Sequence, residues 1–429
     1  MRRIIYAIIG VLVAMALGFV LYPSKKNQAA PIARQKIEVA QPVLNPVSEE
    51  PLIAQVDPNP FIQHLIQDYQ QFISKAILSG QAPGAAVVIV KDSSIIFVKG
   101  FGLKESGTQD SIDTHSVFRL GSVSKCFASA LTGTLVKDQT LQWDDKVTHY
   151  VPEFKLKSRE NTDSLSIRHV LSHTMGLPYH AFTNMVEERV PLDTLLYHLQ
   201  DLNLIGVPGK VYSYQNVGYS LIEKIIQSAT GKSYDEALTE KLFRPLHMQN
   251  ASASYLGITS NANVAQPHHR TKRGWRPFAI SDTYYNVAPA GGINASIADM
   301  GLWLKALLGA RPDVLPTKTI DEILTPQIRA ISKNRNFWRW KRPKASYYAL
   351  GWRVLTFKND TLDYHGGYVN GYRSEVALDR KNKMAICVLV NAAGNLADQS
   401  VPQFFVMRSR YIDRINSWEK EKVSLVAKR

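Results

Sequence analysis

At 429 residues the chain has room for one large or two medium domains. Hydrophobic residues at 45% and charged residues at 20% exclude a mainly disordered chain, and two cysteines exclude a disulfide-stapled scaffold or a four-thiolate zinc site. The net charge of +15 is unusual, but no nucleic-acid motif accompanies it, so a solvated or membrane-facing surface is expected rather than a nucleic-acid reader.

Arg2 and Arg3 precede an uncharged run, residues 4–22, closed by Pro23 and the Lys25-Lys26 pair. Nineteen helical residues rise about 28 Å, close to the roughly 30 Å hydrocarbon core. The run continues past Ala16 and Gly18, its best internal cleavage candidates, so residues 1–22 read as an uncleaved membrane anchor, with a cleaved signal segment as the alternative. Residues 23–60 are rich in Pro, Ala, Gln and Val and show no amphipathic period; they read as a tether with a flexible end-to-end distance of about 30–35 Å.

Folded sequence is expected from Phe61. Phe61, Leu65, Ile66, Tyr69, Phe72, Ile73 and Ile77 recur at helical spacing. Residues 85–91 and 95–100 are β-rich runs around Asp92-Ser93-Ser94, a hairpin signal. Residues 120–310 are mainly helical in pattern, 352–357, 374–378 and 384–390 are strand-like, and a long helical pattern covers about 396–418. The fold class expected is α/β in the α+β sense: an antiparallel sheet built from both chain ends, flanked by helices, with an all-helical lobe inserted. The domain spans 61–415, and 416–429 form a basic tail.

The chemistry starts at Ser122. In Phe118-Arg119-Leu120-Gly121-Ser122-Val123-Ser124-Lys125 a serine stands three residues before a lysine, with an apolar run after it. If Ser122 opens a helix, the two side chains share one face, and the helix N-terminus favours a developing anion beside the serine. Alone the pattern equally describes a capping serine and an exposed lysine. Two further motifs change that: Tyr214-x-Asn216, and His365-Gly366-Gly367-Tyr368 between strand-like runs.

In this order the three motifs resemble the serine β-lactamase and penicillin-binding-protein superfamily, whose elements are Ser-x-x-Lys, Ser/Tyr-x-Asn and Lys-Thr-Gly. The Tyr-x-Asn form is similar to the class C β-lactamase branch, which also holds D-alanyl-D-alanine peptidases, D-aminopeptidases and esterases. Residues 167–178 and 289–300 look like that branch's helical-lobe signature and its later glycine turn. The resemblance implies a serine acyl hydrolase that needs no cofactor and no metal. Ser122 would be the nucleophile and Lys125 would share its proton. Tyr214 would be the base, held partly as phenolate by neighbouring cations. Asn216, His365, Gly366 and Gly367 would bind substrate, and the backbone N–H groups of Ser122 and Tyr368 would form the oxyanion hole.

His365 stands where the lactamases carry lysine. Histidine is only partly charged near pH 7. The substitution weakens a β-lactam-resistance reading and leaves acyl transfer intact. The expected substrate is a small-molecule or peptide ester, amide or D-amino-acid peptide. The protein is read as a monomer, single-pass in a bacterial inner membrane, with its catalytic domain in the periplasm, or secreted if the leader is cut. A non-catalytic penicillin-binding-like sensor and a true class C β-lactamase are the alternatives.

Other features have plainer readings. His169 and His173 have metal-like spacing on a helix but are assigned to scaffold, and His268-His269 to a loop near the cleft. Tyr212 is assigned to packing, and Cys126 and Cys387 to buried thiols. The basic stretch 327–344, with Phe337, Trp338 and Trp340 among its seven Lys/Arg, reads as an exposed insertion, an interfacial belt or a substrate lip.

Overall fold

The computed structural model describes residues 54–330, 340 and 343–426. The apolar run 4–22, the tether up to residue 53 and most of the basic segment 327–344 lie outside that set. The expected first helix is α1 (Pro60–Leu78); the Asn59 side chain accepts from the Phe61 N–H and Pro60 takes the first turn. Ile62, Leu65, Tyr69, Ile73 and Ala76 form its buried stripe. Order begins slightly before the boundary at 61, since Gln55 N–H donates to Ile95 O at 2.8 Å and Asn59 is buried.

Eight antiparallel strands form the main sheet, in the order β2-β1-β12-β11-β10-β9-β8-β7. They are β1 (Gly84–Lys91), β2 (Ser94–Gly102), β7 (Ile328–Arg329), β8 (Ala345–Tyr348), β9 (Arg353–Thr356), β10 (Thr361–Val369), β11 (Tyr372–Asp379) and β12 (Met384–Val390). The two chain ends meet where β1 pairs β12, with Val88 opposite Cys387. Both strands are apolar at every step but one because the sheet is covered on both faces. Ala86, Val88 and Val90 point to one core, while Ala85, Val87 and Ile89 point to the other. Full burial of each such aliphatic side chain contributes about 1.5–3 kcal/mol.

The back face is covered by α1 and by the C-terminal helix α6 (Asn395–Val426). This helix continues eleven residues into the stretch set apart as a tail from 416, without a break. Ile415 is buried in the back core, and its carbonyl accepts from the Asn59 side chain at 3.3 Å. The front face carries the helical lobe. Its longer helices are α2 (Ser124–Lys137), α3 (Asn216–Thr230), α4 (Ile297–Leu307) and α5 (Thr317–Leu324). Helix α2 is buried from Ser124 to Leu135 on all sides, with Phe127 stacked on Trp303 at 4.0 Å; it is a core helix rather than an amphipathic one.

Several details differ from expectation. The stretch between β2 and β7 also holds two two-stranded sheets, β3 (Val117–Arg119) with β6 (Asn294–Ser296), and β4 (His268–Thr271) with β5 (Gly274–Pro277). His268 therefore lies in a strand, where its ring bonds Ser106 N and Asn391 O, and not in a loop. The motif His365-Gly366-Gly367 is not a connection between strands; it lies inside β10, paired to β11. Two adjacent glycines masked the strand, because their low β-propensity reads as a turn. His169 ends up on a one-turn helix (Ile167–Leu171), but His173 falls beyond its cap at φ 57°, so the two do not share a helix face. Trp340 is buried against Phe357, Tyr364 and Phe405, not exposed.

Candidate active site

The candidate nucleophile sits at the junction of β3 and α2. A single 3₁₀ turn (Gly121–Val123) separates them, and Ser122 stands in it, half-buried and one turn ahead of Lys125. Gly121 has φ 50°, and a β-carbon there would lie 2.8–2.9 Å from Tyr368 backbone atoms. At Gly367 a β-carbon would collide with Leu120 O and lie 3.1 Å from Ser122 N. These two glycines let β10 run directly against the nucleophile's turn. Ser374 on β11 holds that contact by donating its hydroxyl to Leu120 O at 2.5 Å. The backbone of Tyr368 is thereby brought against the turn that carries Ser122.

Lys125 is fully buried. Its amine donates to Asn216 Oδ1 at 2.8 Å and to Ala290 O at 2.8 Å, and it lies 3.5 Å from Ser122 Oγ. Asn216 is the first residue of α3, so the second motif enters the pocket on a helix N-terminus. Tyr214, two residues earlier, is 5% exposed, with the Lys125 amine 4.6 Å from its ring centre and its phenol under the influence of the Ser122 hydroxyl. Ser122, Lys125, Tyr214 and Asn216, from two distant stretches of chain, form one cluster.

His365, from the third stretch, is buried beside them. A carbonyl can only accept, so Nδ1–H donates to Gly366 O at 3.0 Å and Nε2 accepts from Tyr348 OH at 3.2 Å. Burial, with help from the Arg353 charge, holds this imidazole well below its ordinary range. It is a neutral group, spoken for at both nitrogens. Gly366 and Gly367 keep the adjoining strand bare of side chains.

The electrostatics correct one expectation. Burial pushes the Tyr214 phenol above its ordinary value, and the Arg353 cation and the Ser122 hydrogen bond pull it back only in part. Tyr214 is a phenol in the resting pocket, not a phenolate. Burial, reinforced by Arg353, instead holds Lys125 well below the ordinary lysine range. The amine is thus packed against two neutral acceptors, Asn216 Oδ1 and Ala290 O, with Ser122 Oγ at the edge of hydrogen-bond reach.

Three contributors were missed by sequence reasoning. Arg353 opens β9, with its guanidinium 5.4 Å from the Tyr214 ring centre and donating to Tyr212 OH at 3.3 Å. Its signal was a lone arginine in a run read only as strand. Tyr348 fixes the His365 tautomer, and the Ala290 carbonyl fixes Lys125; a main-chain acceptor leaves no trace in residue type. His173, read as scaffold, is a neutral ring packed 4.2 Å from Tyr214, and its Nδ1 accepts from Gln215 N. Both cysteines are buried free thiols. Among the described residues no group of His, Cys, Asp or Glu has the arrangement to hold a metal ion.

The family model for Beta-lactamase matches residues 62–404, so the chain belongs to that family, within the serine β-lactamase and penicillin-binding-protein superfamily. Among curated relatives, Protein flp of Staphylococcus aureus (strain N315) is 25% identical over 335 residues, covering 76% of this chain and 64% of that protein. Unguisins hydrolase ungD' of Aspergillus campestris is 25% identical over 341 residues, covering 73% of this chain and 59% of that protein. The chain thus spans less than two thirds of the length of these relatives. Among solved structures, an octameric penicillin-binding protein homologue from Pyrococcus abyssi superposes with a TM-score of 0.67 at 22% identity, covering 81% of this chain and 77% of that one, which establishes the shared fold.

Proposed function

We propose that this protein is a serine acyl hydrolase that works through an acyl-enzyme on Ser122, on an ester, amide or D-amino-acid peptide. The observation that carries the reading is the Lys125 amine: buried, packed against two neutral acceptors, with Ser122 Oγ at the edge of hydrogen-bond reach. Membership of a family broadly made of serine hydrolases, and a relative named as a hydrolase, support it.

The steps balance on the residues present. Lys125 takes the Ser122 proton as Oγ attacks the carbonyl carbon, and the oxyanion accepts from the Ser122 and Tyr368 amides. Tyr214 gives its phenolic proton to the leaving group as the carbonyl–leaving-group bond breaks, and it is reprotonated from the Lys125 ammonium. Water then attacks the acyl-enzyme, its proton passing to Lys125 while Ser122 Oγ recovers one. In this reading Asn216 orients a substrate amide.

A neutral His365 suits esters better than the carboxylate-bearing β-lactams. We expect ester turnover with poor β-lactam turnover. Side-by-side hydrolysis of p-nitrophenyl esters, a D-Ala-D-Ala peptide and nitrocefin decides the substrate, and fast nitrocefin hydrolysis would overturn this choice. Incubation with a fluorophosphonate tests the mechanism: a stoichiometric adduct on wild type, absent from Ser122→Ala, is expected. No adduct on either protein would favour a non-catalytic binding module.

Residues 4–22 support an envelope location, with the catalytic part outside the bacterial inner membrane. That run lies outside the described residues, and among the described residues no helix is long and apolar enough to cross a membrane. Retention of the full chain in a carbonate-washed membrane fraction is the expected result.

A further inference from the structure

Three residues before the nucleophile, Arg119 is fully buried at the end of β3, yet among the described residues its guanidinium meets no carboxylate. It donates to two main-chain carbonyls, Ser281 O at 2.7 Å and Thr283 O at 2.6 Å, and lies 4.3 Å over the Tyr285 ring. Its Nε finds no partner among the described residues. Asp282, in the segment it grips, is instead bonded to Arg189. Burial disfavours the charged guanidinium, and the Asp282 charge, which acts without direct contact, offsets that only in part.

The gripped segment, residues 281–286, is tied to several neighbours of the site residues. Tyr284, at φ 69°, packs its ring over Gly291, where a β-carbon would lie 3.1 Å from Cδ1; Gly291 adjoins Ala290, whose carbonyl holds the Lys125 amine. The Thr283 hydroxyl accepts from the Asn370 side chain, in the turn two residues beyond the oxyanion residue Tyr368. Tyr285 OH donates at 2.7 Å to Asn294 Oδ1, and Asn294 pairs with Arg119 across β3 and β6. Asn286 donates to Val186 O and Val190 O in the helical lobe.

We propose that Arg119 is a positioning residue: its guanidinium fork clamps segment 281–285 onto the nucleophile's own strand, and the clamp sets the Ala290 carbonyl against Lys125 and the Tyr368 amide against Ser122. A lysine has one donor centre and cannot span both carbonyls with the same geometry. The proposal rests on the serine hydrolase reading. It adds that the alignment of amine and oxyanion donors depends on a residue that touches neither substrate nor reacting atoms.

The test measures turnover of a p-nitrophenyl ester per fluorophosphonate-titrated site, which removes any loss of folded protein from the comparison. Arg119→Lys is expected to lower kcat by about 10–100-fold with KM nearly unchanged, the size of effect that a misplacement of about 1 Å produces. Arg119→Ala is expected to regain part of the lost kcat when guanidinium is added well below denaturing concentration. Should the Arg119 variants fail to fold, Asn370→Gly, which keeps the positive-φ backbone and removes the tie to Thr283, is expected to lower kcat several-fold in the same direction. Wild-type kcat per titrated site in Arg119→Lys, or in Asn370→Gly where that is the variant that folds, would overturn the proposal. A wild-type protein with neither adduct nor turnover would instead sink the hydrolase reading beneath it.

Discussion

Lys125 and Arg408 are both buried cations, one on each face of the sheet, and they are treated in opposite ways. Arg408 on α6 is 2% exposed and meets Asp379 at 2.6 Å and Asp360 at 3.1 Å. Lys125 meets a side-chain amide and a main-chain carbonyl, both neutral. The back face neutralises its charge with carboxylates and so keeps it. The front face withholds the counter-charge, and the amine is driven towards its neutral form, the one that can take a proton. Equal burial yields a structural tie in one place and an amine held below its ordinary range in the other, and the partner decides which.

The largest effects expected test the front face. Ser122→Ala should abolish acylation, measured as loss of the fluorophosphonate adduct. Lys125→Met, isosteric but without the amine, should lower kcat by about 10²–10⁴-fold, the usual contribution of a positioned base, with thermal stability unchanged or raised. A preserved rate in Lys125→Met would move the base elsewhere. Arg353 depresses the lysine, so kcat/KM should rise with pH through a pKa well below 10.5, and Arg353→Gln should move that acid limb to higher pH. An unmoved limb would show that burial alone sets the amine.

On the back face the expected effect is on folding. Arg408→Met leaves Asp379 buried without its partner, and about 3–5 kcal/mol of stability should be lost while turnover per folded molecule stays at wild type. Chemical denaturation with an active-site titration separates the two. Smaller still is Glu223 on α3, whose Oε2 is buried without a partner and whose carboxyl burial pushes up to about 7. A carboxyl raised from 4.5 holds its proton more tightly when folded. Its favourable contribution is complete below pH 4.5 and is lost as pH rises through 7. Glu223→Gln should therefore melt higher than wild type at pH 8, by of order 2 kcal/mol, and the gain should vanish at pH 4. The exposed Lys232–Glu240 pair sets the lower end: Lys232→Ala should change stability by less than about 1 kcal/mol.

Much of this was legible from residue order. The α1 stripe, the β1–β2 hairpin and the continuous apolar runs of β1 and β12 follow from periodicity, because burial on one face or two imposes a pattern on the chain itself. Ser122, Lys125, Tyr214, Asn216 and the two glycines of β10 were also legible, through three motifs whose joint order is specific. The strand around His365 was not, since glycines required by close approach to Gly121 and Leu120 resemble glycines required by a turn. The phenolate expected at Tyr214 failed for a related reason: a phenol's charge state depends on how deeply it is buried, which no motif encodes.

The chain's own order of side chains determined the sheet with two covered faces, the helical lobe and the set of groups proposed to transfer an acyl group. Only the tertiary structure decided which of them holds a proton. Arg353, Tyr348 and the segment gripped by Arg119 come from stretches that carry no signature, and the Ala290 carbonyl is a main-chain acceptor that no residue type records. The protonation of Lys125, Tyr214 and His365 is set by desolvation and by charges a few ångströms away, quantities that exist only once distant parts of the chain have been brought together.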